Sequence, residues 1–172
     1  MIIVTGVDNT GKSSLARHLS EEFDIPIATR YHTLPPTDGW EWYIWAKRQF
    51  EHKGELIHDR FFIDELVYGP VLRDKYVVSI EQMAQLSTML VMRQPLFIYT
   101  KLPLEKIQEG FEVREQYPDA ADLSKLLNKF ERVMHTWPVK ELKHCTRFCY
   151  LNDPDYRRID LVVKNYLQGG SI

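Results

Sequence analysis

Met1 to Thr5 (MIIVT) is an unbroken apolar run rich in β-branched residues that stops at Gly6, and it predicts a short buried strand. From Lys12 to Phe23 the period changes: Leu15, Leu19 and Phe23 fall on one helical face, with charges elsewhere. Ile25 to Thr29 predicts a second strand, followed by a Pro- and Gly-containing loop from Tyr31 to Gly39. Trp40 to His52 predicts an aromatic-rich helix stopped near Gly54. Glu55 to His58 predicts a third strand, leading into Asp59–Arg60 and a short helix that ends near Gly69–Pro70. Ser79 and Gln82 form a capping box that opens a helix running to about Gln94. Pro95 to Lys101 (PLFIYTK) predicts a fourth strand. Leu104 to about Gln116 and Leu123 to Trp137 carry helical periodicity, joined by the polar stretch Tyr117–Asp122. Arg147 to Leu151 predicts a fifth strand, and Asp155 to Leu167 closes the chain as an amphipathic helix.

Strands alternating with helices predict an α/β fold: a parallel sheet of five strands with helices on both faces. The 172 residues suit one domain spanning 1–172, with no repeat and no linker long enough to divide it. Hydrophobic residues at 44% and charged residues at 27% are globular proportions. A net charge of −2 argues against coating nucleic acid through bulk charge, while leaving a local basic channel open. Cys145 and Cys149 are too few for a disulfide framework and, with His144, lack paired C-x-x-C spacing, so they are expected as core cysteines rather than metal ligands. No window approaches the run of about 18 apolar residues that a membrane span needs. The first residues are a strand and a phosphate loop, which a cleavable signal would destroy, so the expectation is a cytoplasmic protein with no membrane partner.

The strongest chemical signal is Gly6-Val-Asp-Asn-Thr-Gly11-Lys12-Ser13, which fits G-x-x-x-x-G-K-[ST] at every fixed position. Gly6 and Gly11 let the backbone curl so that N–H groups point at phosphate oxygens. Lys12 supplies a charge to the β- and γ-phosphates, and the Ser13 hydroxyl suits Mg²⁺. The helix beginning near Lys12 adds its positive end. Triphosphate, expected as ATP with Mg²⁺, would lie over Gly6–Ser14, including Asn9, Thr10 and Ser14. A GTPase switch would carry D-x-x-G after a strand and N-K-x-D for its base; neither stands in the expected place, which disfavours a non-catalytic nucleotide switch.

Two stretches resemble the thymidylate kinase family: the loop, whose Asp8 matches G-x-D-x-x-G-K-[ST], and Asp59-Arg60-Phe61-Phe62-Ile63-Asp64-Glu65-Leu66-Val67-Tyr68, which resembles D-R-Y-x-x-S-x-x-A-Y in spacing. The element order agrees along nearly the whole chain. The resemblance implies a P-loop, nucleoside-monophosphate-kinase-like fold and transfer of a γ-phosphoryl group to a deoxynucleoside monophosphate. By it, Arg60 would grip a phosphate between donor and acceptor, Asp8 would face the acceptor sugar or its arginine partner, and Tyr68 would line the acceptor pocket. Arg114 would sit on an arginine-bearing lid at about 108–122, offsetting charge in the transition state.

The departures fall on the acceptor half. Where the family carries R-E-P after the second strand, this chain reads Thr29-Arg30-Tyr31, keeping the arginine and losing the glutamate. Asp64 and Glu65 replace a serine pair, and Gly69 replaces the glutamine that follows the tyrosine. At a helix start the two acids can also simply complement the dipole. Arg30, Arg60 and Arg73 are the candidates for an acceptor phosphate. A deoxynucleoside acceptor would instead need a carboxylate base; no Glu lies between Thr29 and Gly39, and Asp59 can serve, either as base or by holding Mg²⁺ through water. Certain phage enzymes with a similar core phosphorylate 5-hydroxymethyluracil within DNA, which would make DNA a substrate and, for a phage-encoded chain, the host cytoplasm its location. Trp42, with Trp40, Tyr43 and Trp45, would then stack an extruded base, against the alternative that this helix packs in the core. Arg93 and Arg132 are left to solvated helix faces or to adenine stacking. The apolar residues of Ser79–Met92 would suit a homodimer, or equally a helix lying on its own sheet.

Overall fold

The computed structural model describes residues 1–29, 38–112 and 120–169. Strand β1 (Ile2–Thr5) leads into helix α1 (Lys12–Phe23), and α2 (Gly39–Glu51) precedes β2 (Ile57–Asp59). Helices α3 (Phe62–Leu72) and α4 (Ile80–Arg93) separate β2 from β3 (Leu96–Thr100). Then follow α5 (Leu104–Glu112), α6 (Ala120–Met134), β4 (Cys145–Phe148) and α7 (Arg157–Leu167).

The sheet has four strands in the order β2-β1-β3-β4, and every neighbouring pair is parallel. Alternation along the strands sorts the core into two layers. Ile2, Val4, Leu96, Ile98 and Phe148 pack on Leu15, Ala16 and Leu19 of α1 and on Ile159 and Val163 of α7. Ile3, Phe97 and Tyr99 face the other way, into a larger aromatic-rich layer built from α2, α3, α4 and α6. Both faces of the sheet are thereby covered, which is why its strands read as continuous apolar runs.

The expected strand over Ile25–Thr29 is reduced to one bridge, Ile27 against Ile57. Two hydrogen bonds hold it, Ala28 N–H to the Ile57 carbonyl at 2.8 Å and Ile57 N–H to the Pro26 carbonyl at 3.0 Å. Pro26 has no N–H to extend the ladder, so the sheet has four strands rather than five. The last strand lies at Cys145–Phe148 rather than Arg147–Leu151, because residues after Phe148 turn: Asn152 N–H and Asp153 N–H both donate to the Cys149 carbonyl. Helix α3 runs through Gly69–Pro70 to Leu72 instead of stopping there. A proline clashes with the Cβ of the residue before it, and Gly69 has none. Cys145 on the edge strand is exposed and Cys149, just past it, is half-buried, so neither is a core cysteine. Among the described residues no cluster of three or more His, Cys, Asp or Glu is placed to hold a metal, and no helix is long and apolar enough to cross a membrane.

Candidate active site

The loop between β1 and α1 sits at the carboxyl end of the sheet, where open α/β folds bind ligands. Gly6 has φ +142°, and a Cβ there would lie 2.4 Å from the Thr100 carbonyl oxygen. Only glycine lets β1 turn against β3 at this point. Gly11 (φ +85°) and Asn9 (φ +61°) complete the curl. Thr10 pins it from below: its hydroxyl donates to the Val7 carbonyl at 2.7 Å and meets the Thr100 hydroxyl at 2.7 Å. Thr100 Oγ1 in turn donates to the Thr5 carbonyl at 3.0 Å.

Lys12 folds back over this loop. Its ammonium donates to the Val7 carbonyl at 2.6 Å and lies 3.9 Å from Asp8. The side chain is 5% exposed. Burial, then the nearby Arg60 charge, pulls its pKa down to about 7, with Asp8, Asp64 and Asp59 opposing. Phosphate oxygens arriving at the loop would restore the full positive charge.

Ser13 and Ser14 open α1 at the exposed rim of the loop. The Ser13 hydroxyl donates to Asp59 Oδ2 at 2.6 Å. Strand register brings them together, since β2 pairs with β1 so that Asp59 stands opposite Val4, just before the loop. Two hard oxygen donors side by side fit Mg²⁺, which keeps most of its shell for water and phosphate rather than taking an all-protein cage.

Arg60 follows Asp59 with φ +73°, a left-handed conformation rare for a side chain of this size. Its N–H donates to the Val4 carbonyl at 2.9 Å, tying the strained residue to β1. The guanidinium pairs with Asp8 through Nη2, approaches Asp64 Oδ1 at 3.5 Å through Nη1, and lies 4.9 Å from the centre of the Tyr68 ring. Tyr68 OH donates to Asp8 Oδ2 at 3.2 Å. Burial pushes the Asp8 carboxyl up, but the Arg60 and Lys12 charges overcome it and leave it below the usual range. Asp64 accepts from Thr5 Oγ1 at 3.0 Å and from Phe61 N–H at 2.9 Å. Burial still raises its pKa.

The expected residues Gly6, Asp8, Lys12, Ser13, Asp59, Arg60 and Tyr68 therefore come together in one place. Arg73 is held by Glu65 Oε2 at 2.5 Å. Trp42 is buried, 6.5 Å centre to centre from Trp45, which stacks edge-on against Phe61 at 5.8 Å. Arg30, Arg114 and the middle of the expected lid, 113–119, lie outside the described residues. Sequence reasoning missed the supporting residues Thr5 and Thr100 and left Asp64 between an acceptor-side position and a dipole partner. The four-residue spacing of Arg60 and Asp64 at a helix start was the available signal for the last. A further cavity of about 480 Å³ opens at the ends of β3 and β4, lined by Lys101, Arg147, Asn152 and Arg158 among others.

Solved structures share this fold. The chain is similar to the YorR protein from Bacillus subtilis, solved in complex with phosphorylated GDP, with a TM-score of 0.77 at 20% identity over 97% of each chain. It is also similar to the deoxyadenosine kinase from M. mycoides. The structure of that enzyme with dCMP and a flexible dCDP has a TM-score of 0.61 at 13% identity, covering 97% of this chain and 98% of the other. Its dATP-bound structure gives 0.61 at 14% identity, covering 96% and 98%. The chain thus has the α/β fold of these structures, a parallel sheet flanked by helices. No protein-family model matches the chain, and no curated protein matches it.

Proposed function

We propose that this chain is an ATP-dependent phosphotransferase that moves the γ-phosphoryl group onto a nucleotide-like acceptor. The observation that carries the reading is the convergence of Lys12, the Ser13–Asp59 pair at 2.6 Å and the strained Arg60 on one phosphate loop. Lys12 would leave the Val7 carbonyl for the β- and γ-phosphates, and Ser13 would ligate Mg²⁺, with Asp59 behind it through water. Mg²⁺ held by these residues would supply charge neutralisation on the triphosphate. Arg60 is aimed at the gap between donor and acceptor, where it offsets charge in a loose transition state. Arg114, expected on the lid, would add a second guanidinium. Asp8 and Tyr68 line the acceptor side and orient the attacking oxygen. That the M. mycoides structural neighbour is named a kinase and was solved with deoxynucleotides supports the same chemistry here.

The acceptors to be weighed are deoxynucleoside monophosphates, deoxynucleosides, and 5-hydroxymethyluracil within DNA. Trp42 packs in the core, whereas Trp40 at the start of the same helix is 63% exposed and is the ring that an extruded base could meet. A radiolabelled γ-phosphate transfer screen across all three classes tests the reading. Label on any acceptor, dependent on Mg²⁺, is expected; no transfer to any of them, with ATP hydrolysis at the buffer rate, would overturn it.

A further inference from the structure

Most polar side chains of the phosphate loop already have partners inside the protein. Asp8 is met by Arg60 and Tyr68, Thr10 by Val7 and Thr100, Lys12 by the Val7 carbonyl and Ser13 by Asp59. Asn9 differs. Its Nδ2 is buried and, among the described residues, has no hydrogen-bond partner. A buried donor left unpaired carries its full desolvation penalty, so one inside a phosphate loop calls for an acceptor that arrives with a ligand.

Two features hold the amide in place. Asn9 has φ +61°, a left-handed conformation that asparagine tolerates better than most side chains. Helix α5 then lies across it: a Cβ added at Gly110 would stand 3.4 Å from each of Asn9 Cβ, Cγ and Nδ2. The glycine lets the helix backbone come down onto the loop, and the carboxamide is enclosed in the seam between them. Asn9 also directly follows Asp8, whose carboxylate pairs with Arg60 and lies 3.9 Å from the Lys12 ammonium. The unpaired donor is thus one residue from the group that holds both cations assigned to phosphate oxygens. A phosphate oxygen at neutral pH chiefly accepts, so a carboxamide that meets one presents Nδ2.

We propose that the Asn9 carboxamide donates from Nδ2 to an oxygen of the γ-phosphoryl group, and so distinguishes a bound triphosphate from a diphosphate. This rests on the phosphotransferase reading, with the loop as the donor site. The amide makes and breaks no covalent bond and moves no proton; it steadies charge on the γ-phosphoryl oxygens as that group passes to the acceptor. The competing explanation is that asparagine stands here for its backbone conformation alone, which glycine adopts equally well.

Asn9→Gly separates the two, because it keeps the conformation and removes the amide. Calorimetry with Mg²⁺ and either ATP or ADP is paired with γ-phosphate transfer to deoxynucleosides and their monophosphates. In the variant we expect ATP affinity to fall about tenfold, ADP affinity to stay within about twofold, and kcat to fall about 100-fold. Unchanged ATP affinity and turnover would overturn the proposal, as would an equal loss of ATP and ADP affinity, which marks a change in loop shape. If the variant does not fold, NMR of the wild-type side-chain amides decides. The Asn9 signal is expected to shift with Mg²⁺ and the β,γ-imido analogue of ATP but not with Mg²⁺ and ADP; the same response to both overturns the proposal. Full transfer by Asn9→Gly overturns this inference and leaves the kinase reading standing. Wild type that transfers to no acceptor and binds ATP no more tightly than ADP overturns both.

Discussion

Asp8 and Arg60 lie on opposite sides of the phosphate loop, one inside it and one just past β2, and their side chains form an ion pair capped by the Tyr68 hydroxyl, which donates to Asp8 at 3.2 Å. Asp8 thus occupies the guanidinium that the proposed transfer assigns to a phosphoryl group. On that proposal Arg60 is pre-aimed and charged, and an arriving phosphate would have only to replace one carboxylate contact rather than order a flexible side chain.

Asp64 governs that aim from the other side. Asp64→Asn keeps one acceptor oxygen, enough for either Thr5 Oγ1 or Phe61 N–H but not both, and removes the charge opposite Arg60 Nη1. We expect kcat to fall about 10- to 100-fold with ATP affinity unchanged within about twofold. Steady-state kinetics with nucleotide-binding calorimetry check this, and an equal loss in ATP affinity would place Asp64 in donor binding instead.

Lys12 gives the account a pH signature. In the free protein its pKa is pulled down to about 7 by burial and by Arg60, and bound triphosphate raises it again. The bound form then holds more protons than the free form above pH 7, so ATP affinity falls as pH rises from about 7 to 9, and binding near pH 8 takes up a proton. Calorimetry in buffers of different ionisation enthalpy reads that uptake directly. The same depression makes Lys12 a site where the unfolded chain binds more protons between about 7 and its ordinary 10.5. Its contribution to stability is therefore fully present above that range and is lost as pH falls toward 7.

Gly69 and Glu65 should be energetically coupled. Gly69→Ala puts a Cβ 2.7 Å from Glu65 Oε1, and we expect it to cost about 1–3 kcal/mol in denaturant unfolding. In a Glu65→Ala background the cost should shrink by about 1 kcal/mol, the remainder coming from the Lys75 carbonyl. Strictly additive effects would show that the carboxylate does not occupy that space.

Much of this was legible in the sequence because it depends on local spacing. The glycines of the loop, Lys12 and Ser13 follow from a motif whose geometry one turn of backbone dictates, and Asp59–Arg60 follows from a strand ending beside it. What was not legible depends on residues far apart in sequence. Whether Ile25–Thr29 pairs as a full strand turned on Pro26 and on an edge position, which apolar periodicity does not reveal. The Trp-rich helix reads the same whether it lines a pocket or a core, and only packing against Phe61 places Trp45 in the latter. The Glu65–Arg73 pair spans eight residues and a proline; taken alone, Arg73 reads as a phosphate ligand and Glu65 as an acceptor-side or dipole charge.

The donor-site assignment is tested most directly by γ-phosphate transfer measured on wild type and Lys12→Ala side by side, with circular dichroism confirming that both are folded. Loss of at least about 1,000-fold in kcat/KM with the fold and thermal midpoint retained is the predicted result. Turnover within about tenfold of wild type would contradict it, and would move the phosphoryl donor away from the loop between β1 and α1.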